Sequence, residues 1–221
     1  MKYAFLLLVL FSVISPLAAQ SLPPLRTVEG TAVVSQNDPA ARIEVPSGAV
    51  YVGAVRFVLF EAADCEIHLF VEADASKRIK RLYWVQFEAY LPEQPTLLYE
   101  TSATYSPLEM SSLPFYQRAR FGQSSDVPRP GSDADEAYAL LKRNGYTLPA
   151  GTVNVTYKHF FDGMRKELLL LVLEDMSLSG VTFAQLLKDQ KLQPAWEPVA
   201  EQLKARSSKV FTIHPQAPAS K

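Results

Sequence analysis

Cysteine is almost missing from this chain: Cys65 is the only one in 221 residues. No intrachain disulfide can form, so the fold must rest on its core. Histidine is nearly as scarce, with only His68, His159 and His214, at no ligand spacing. Glu66 and His68 put two possible ligands on one strand face, with Glu88 near them, but a zinc site needs three or four ligands, so no metal and no cofactor is expected. Charge of one sign never gathers into a block, and formal net charge is −1. Without a basic stripe, nucleic acid is not expected as the main partner, because phosphate neutralisation dominates such binding. The same holds for an anionic membrane surface. Walker, GxGxxG, HExxH, CxxC and GxSxG patterns are all absent. After the first residues no apolar run is long enough to span a bilayer, which takes about 20 residues. Leu168–Leu173 is apolar but short, with charges on both sides.

What is present begins with an export signal over residues 1–19. Lys2 supplies the positive start, Ala4–Ile14 the apolar run, and Leu17-Ala18-Ala19 the small residues before a cut near Gln20. The protein is therefore expected in the periplasm or outside the cell. The remainder, about 200 residues, is enough for one domain with a proper core. That domain is expected over 20–213, with a flexible tail at 214–221.

The stretch 54–91 organises the rest. Residues 65–72 and 82–91 both alternate at the period of half-buried strands and flank a loop at 73–80. If the strands pair with even positions opposite even, then Cys65, Ile67, Leu69, Val71, Tyr83, Val85 and Phe87 form one apolar face. Glu66, His68, Trp84, Gln86 and Glu88 then share the other face. That second face fits a solvated sheet surface or the floor of a ligand-binding groove with aromatic walls and convergent polar groups. Cys65 falls on the apolar side as a buried, inert thiol.

Around this stretch, Val28–Ser35 and Arg42–Val45 read as short strands. Ala49–Phe60 reads as a longer one, with a bulge or close approach at Gly53. Residues 92–132, punctuated by prolines, read as a long loop that packs back on the domain, and Arg118 and Arg120 could meet the acids of the sheet. Ser132 is the expected N-cap of a helix ended by Asn144-Gly145. Asp162-Gly163 suggests a two-residue hairpin turn that sets Lys158 opposite Glu167. The run from Leu168 is apolar on both faces and should be a central strand. A capping box at Thr182 and Gln185 starts a helix through about Gln190. A further helix starts near Ala195, so that Pro198 lies in its first turn. Lys209–Ile213 could be a last strand. The expected fold is α+β: a mainly antiparallel sheet with about three helices packed against one face.

Two segments, RLYWVQFEAYLP at 81–92 and RKELLLLVLEDM at 165–176, resemble stretches of bacterial exported proteins of unknown activity. The resemblance implies export and assigns no site residue. Two function classes follow. One is a non-catalytic module that binds a small ligand or a protein through Glu66, His68, Trp84, Gln86 and Glu88. The other is a hydrolase using Glu66 and Glu88 as paired carboxylates.

Overall fold

The computed structural model describes residues 22–216. The export signal expected over 1–19 and the tail residues 217–221 lie outside the described residues. In chain order the strands are β1 (Thr27–Glu29), β2 (Ala32–Ser35), β3 (Ala41–Glu44), β4 (Val50–Leu59), β5 (Ala63–Ala73), β6 (Ile79–Tyr90), β7 (Ser106–Met110) and β8 (Leu113–Gln123). Helix α1 (Asp133–Arg143), β9 (Gly151–Phe161), β10 (Lys166–Asp175), a 3-10 turn (Met176–Ser179) and α2 (Phe183–Leu186) follow. The small β11 (Leu187–Lys188) and β12 (Lys191–Leu192), α3 (Trp196–Ser207) and β13 (Thr212–Pro215) complete the described chain.

The main sheet has seven strands in the order β4-β5-β6-β10-β9-β8-β7, and a second sheet has the order β1-β2-β3-β13. Every ladder in both is antiparallel. The sheet-dominated α+β architecture read from the alternating runs is the one observed. As its apolar run predicts, β10 lies in the middle, between β6 and β9.

The helices do not share one face of the sheet. On one side, which we call the closed face, Phe70, Tyr83, Val85, Phe115, Val155 and Leu170 pack beneath the second sheet and α3, through Val33, Ile43, Trp196, Leu203 and Ile213. On the opposite side, the cleft face, α1 lies over β4 and β5. Its Ala137, Leu140 and Leu141 pack on Val55, Ile67, Leu69 and Trp84. Ser132 caps α1 by accepting the Asp135 N–H at 3.2 Å, and Gly145 follows its end with φ +79°, as the sequence pattern predicts. Gly53 sits at a register shift between β4 and β5. Its φ of +148° is one that other residues rarely adopt, which is what requires glycine there.

Four expectations are corrected. Residues 28–35 are not one strand but two, folded back at Gly30 with φ +61°. The long loop at 92–132 holds β7 and β8. The helix expected through about Gln190 stops at Leu186. The last strand runs to Pro215, so His214 and Pro215 belong to the second sheet rather than to a tail. The α3 boundary is as expected, with Ala195 at its N-cap and Pro198 in its first turn.

The β9–β10 hairpin closes through four residues, Asp162–Arg165, because Phe161 pairs with Lys166. Asp162, Gly163 and Met164 all have positive φ, so the left-handed turn runs one residue past the Asp-Gly pair. The longer turn keeps parity. Lys158 faces Leu169 rather than Glu167, yet it still reaches Glu167 diagonally on the same face, at 3.0 Å.

Candidate functional site

The five predicted site residues do not share a face. Next to the loop, Ala73 pairs with Ile79, odd opposite odd. A one-residue irregularity between Glu72 and Ala73 then shifts the ladder, so that Glu66 pairs with Phe87, His68 with Val85, and Cys65 with Glu88. A one-residue slip turns a strand's whole side-chain set over relative to its partner. Glu66 and His68 therefore point to the closed face, and Trp84, Gln86 and Glu88 to the cleft face. All are buried, at 1% exposure for Glu66 and His68 and at most 9% for the other three. The face is not solvated sheet.

On the closed face Glu66 acts as a fastener. Its Oε2 accepts the Leu25 N–H at 2.8 Å and the Arg26 guanidinium at 3.2 Å. Its Oε1 accepts the Arg26 N–H at 3.0 Å and His68 Nε2 at 2.8 Å. The Tyr51 hydroxyl meets His68 Nδ1 at 3.2 Å, so both ring nitrogens are engaged. Arg26 also covers the Phe87 ring at 4.3 Å. Burial pushes the Glu66 carboxyl up, but the His68, Leu25 and Arg26 donors outweigh it and bring its pKa down to about 2. A small cavity of about 90 Å³ touches Leu25, Arg26, Glu66 and Lys166. Asp38, Asp64 and Glu88 border it too, and the Glu66 oxygens are already taken up by donors from the chain itself.

On the cleft face a hydrogen-bonded row runs down β6. Trp84 Nε1 donates to Gln86 at 2.6 Å, and the Gln86 amide donates to Glu88 Oε1. The Tyr99 hydroxyl donates to Glu88 Oε2 at 3.0 Å. Tyr99 stacks on Tyr90, with centroids 4.3 Å apart, and its loop is clamped by Arg165, whose guanidinium donates to the carbonyls of Gln94 and Leu91 at 2.8 and 3.1 Å. Directly opposite Glu88 stands Glu167, whose two oxygens accept Lys158 Nζ at 3.0 and 3.2 Å. Burial, then the charges of Glu167 and Asp133, push Glu88 up to about 7. Burial also raises Glu167, against the pull of Lys158. The Cys65 thiol lies 3.9 Å from Glu88. Burial and that carboxylate push it well up, so it is not an activated nucleophile.

The Glu66 and Glu88 side chains thus point to opposite faces of the sheet, although both residues border the cavity of about 90 Å³. The acids that face each other, Glu88 and Glu167, are buried, with Tyr99 donating to the first and Lys158 to the second. Among the described residues no group of three or more His, Cys, Asp or Glu side chains could hold a metal.

The opening lies beside this row. A half-open cleft of about 310 Å³ is bounded by the first turn of α1 and by β8, β9 and β10. Trp84, Leu169 and Leu171 form an apolar floor. Arg120, Asn154, Thr156 and Lys158 project from the sheet, and Asp133, Ala134 and Tyr138 from the helix. Tyr105 closes one end, its ring 5.9 Å from Lys158 Nζ and 5.7 Å from the Arg118 guanidinium. Of the five predicted residues only Trp84 lines this cleft. The signal for the others was alternation on β9, where Asn154, Thr156 and Lys158 alternate with buried Val153, Val155 and Tyr157. The expectation that Arg118 and Arg120 meet the sheet's acids is not met. Among the described residues neither forms an ion pair. No protein-family model, no curated protein and no solved structure matches this chain.

Proposed function

We propose that this protein is an exported module that binds a small ligand, without chemistry on it, in the cleft between α1 and strands β8–β10. The cleft carries the proposal. Its roughly 310 Å³ falls at the lower end of ligand sites, about 300–1,000 Å³. It also combines the two ingredients such sites use: an apolar floor at Trp84, Leu169 and Leu171, and a few fixed polar groups around it. Those groups are held by the β9 ladder and by a capped helix, so little ordering remains to be done on binding. Export rests on Lys2, the run Ala4–Ile14 and the small residues up to Ala19.

The test is a thermal-shift and ligand-observed NMR screen of a mixed small-molecule set against the wild type and Thr156→Trp, which fills the cleft. Compounds should raise the wild-type melting temperature by mass action and fail to raise that of the filled variant. Equal shifts in both proteins, or none in either, would refute cleft binding. For export, protein recovered from its host should begin near Gln20. An intact Met1 would rule the signal out.

A further inference from the structure

We propose that the cleft takes a small zwitterion with an apolar body, an α-amino acid with an apolar side chain. This rests on the cleft being a binding site and adds the class of its ligand. The charges are the observation. Arg120 and Asp133 line the same cleft from opposite walls, the first on β8 and the second at the start of α1. Among the described residues neither forms an ion pair with any partner, nor do they pair with each other. Asp133 commits one oxygen to the Ala134 N–H at 2.7 Å and keeps the other. Lys158, the remaining cation at the rim, is already neutralised by both oxygens of Glu167.

Among the residues that line the cleft, Arg120 is thus the cation and Asp133 the anion without an ion-pair partner, with Trp84 and Leu171 on the floor; Arg118, also without one, lies by Tyr105 at the end. A singly charged ligand would satisfy one wall and leave the other charge facing it unmatched. A zwitterion satisfies both: its carboxylate takes the Arg120 guanidinium in a charge-assisted, fork-shaped contact, and its ammonium takes the open Asp133 oxygen. Its side chain then lies on the indole and leucine floor, where apolar burial adds affinity. A cleft of about 310 Å³ has room for a ligand the size of a single amino acid.

Isothermal titration of the wild-type chain tests this with L-phenylalanine and L-leucine, N-acetyl-L-phenylalanine, which lacks the cation, and L-phenylalaninamide, which lacks the anion. The free amino acids should bind saturably, and each blocked form about tenfold or more weaker, as loss of a charge-assisted contact predicts. Arg120→Gln should abolish the preference for the acid over the amide. Asp133→Asn should abolish the preference for the free amine over the acetylated one. Both variants keep a side chain of similar size, and their melting temperatures check folding. Blocked forms that bind as well as the free amino acid would overturn the proposal, as would variants that keep both preferences. If neither amino acid binds while other small molecules bind the wild type and not Thr156→Trp, the zwitterion is wrong and the cleft site stands. If nothing binds in the cleft, both fall.

Discussion

Glu66 and Glu88 are the same side chain on neighbouring strands, both shut away from water, and their environments push them in opposite directions. Glu66 receives donors from Leu25, Arg26 and His68 and a cation from Arg26, and its pKa falls from the ordinary 4.5 to about 2. Glu88 receives Gln86 and Tyr99 but faces Glu167 across the ladder, and rises from 4.5 to about 7. Burial raises both. At Glu66 the donors and a guanidinium outweigh it and hold the acid ionised, whereas at Glu88 burial prevails and the acid opposite adds to it.

The two acids therefore bend the stability curve in opposite ways. Glu66, with a depressed folded value, contributes stability that is present above pH 4.5 and is lost as pH falls toward 2. Glu88, with a raised value, binds its proton more tightly when folded, so stability declines as pH rises from 4.5 to about 7. Between them these acids place the optimum near pH 4.5–5, and the sharpest way to break the contrast is to remove one at a time. Glu66→Gln should cost about 3–5 kcal/mol at pH 7, since Arg26 and His68 keep their donors without the charge that matched them. Urea denaturation measures it, and a loss under about 1 kcal/mol would mean the fastening lies elsewhere. Lys158→Met should come next, at about 3 kcal/mol, because it leaves Glu167 in the position of Glu88, a buried acid without a cation. The same melts should show a steeper fall between pH 5 and 8.

Glu88→Gln carries the opposite sign. It should stabilise the protein by about 1–3 kcal/mol at pH 8 and change little at pH 4.5. An equal effect at both values would show that Glu88 ionises normally. Tyr99→Phe is the smallest change, at about 1–2 kcal/mol. With its hydroxyl donor gone, Glu88 should titrate at still higher pH in carboxyl-detected NMR. A downward move would show that Tyr99 accepts from a protonated Glu88 instead.

Much of the sheet was legible in the sequence, because period-two alternation is local. The β5 and β6 runs, the buried β10 and the α1 caps all came from neighbours along the chain. What failed was the relation between strands. One irregularity at Glu72 and Ala73, unmarked by glycine, split the predicted site between the two faces. Strands β7 and β8 were hidden for a related reason. Their turn places Ser111 and Ser112 at positive φ, where glycine or asparagine would have signalled a hairpin. Pro107 and Pro114 also argued against strands, although β7 lies at the sheet edge, where proline is tolerated. The cleft could not be read at all as a unit. It exists only once the first turn of α1 is set against β8 and β9, and no local pattern encodes that distance. Its polar stripe on β9 was visible, but as one face of a hairpin rather than the wall of a cavity.

The second sheet joins opposite ends of the described chain. Ile43 of β3 pairs with Ile213 of β13, and both lie in the core beneath the main sheet. A ribosome delivers β1–β3 well before β13, so the lid over the closed face stays incomplete until β13 has been made. Until then β3 has an unpaired edge, and Val33, Ile43 and the sheet beneath lack part of their cover. Contacts this distant in sequence close slowly. The closed face should therefore gain its full cover only once β13 is in place.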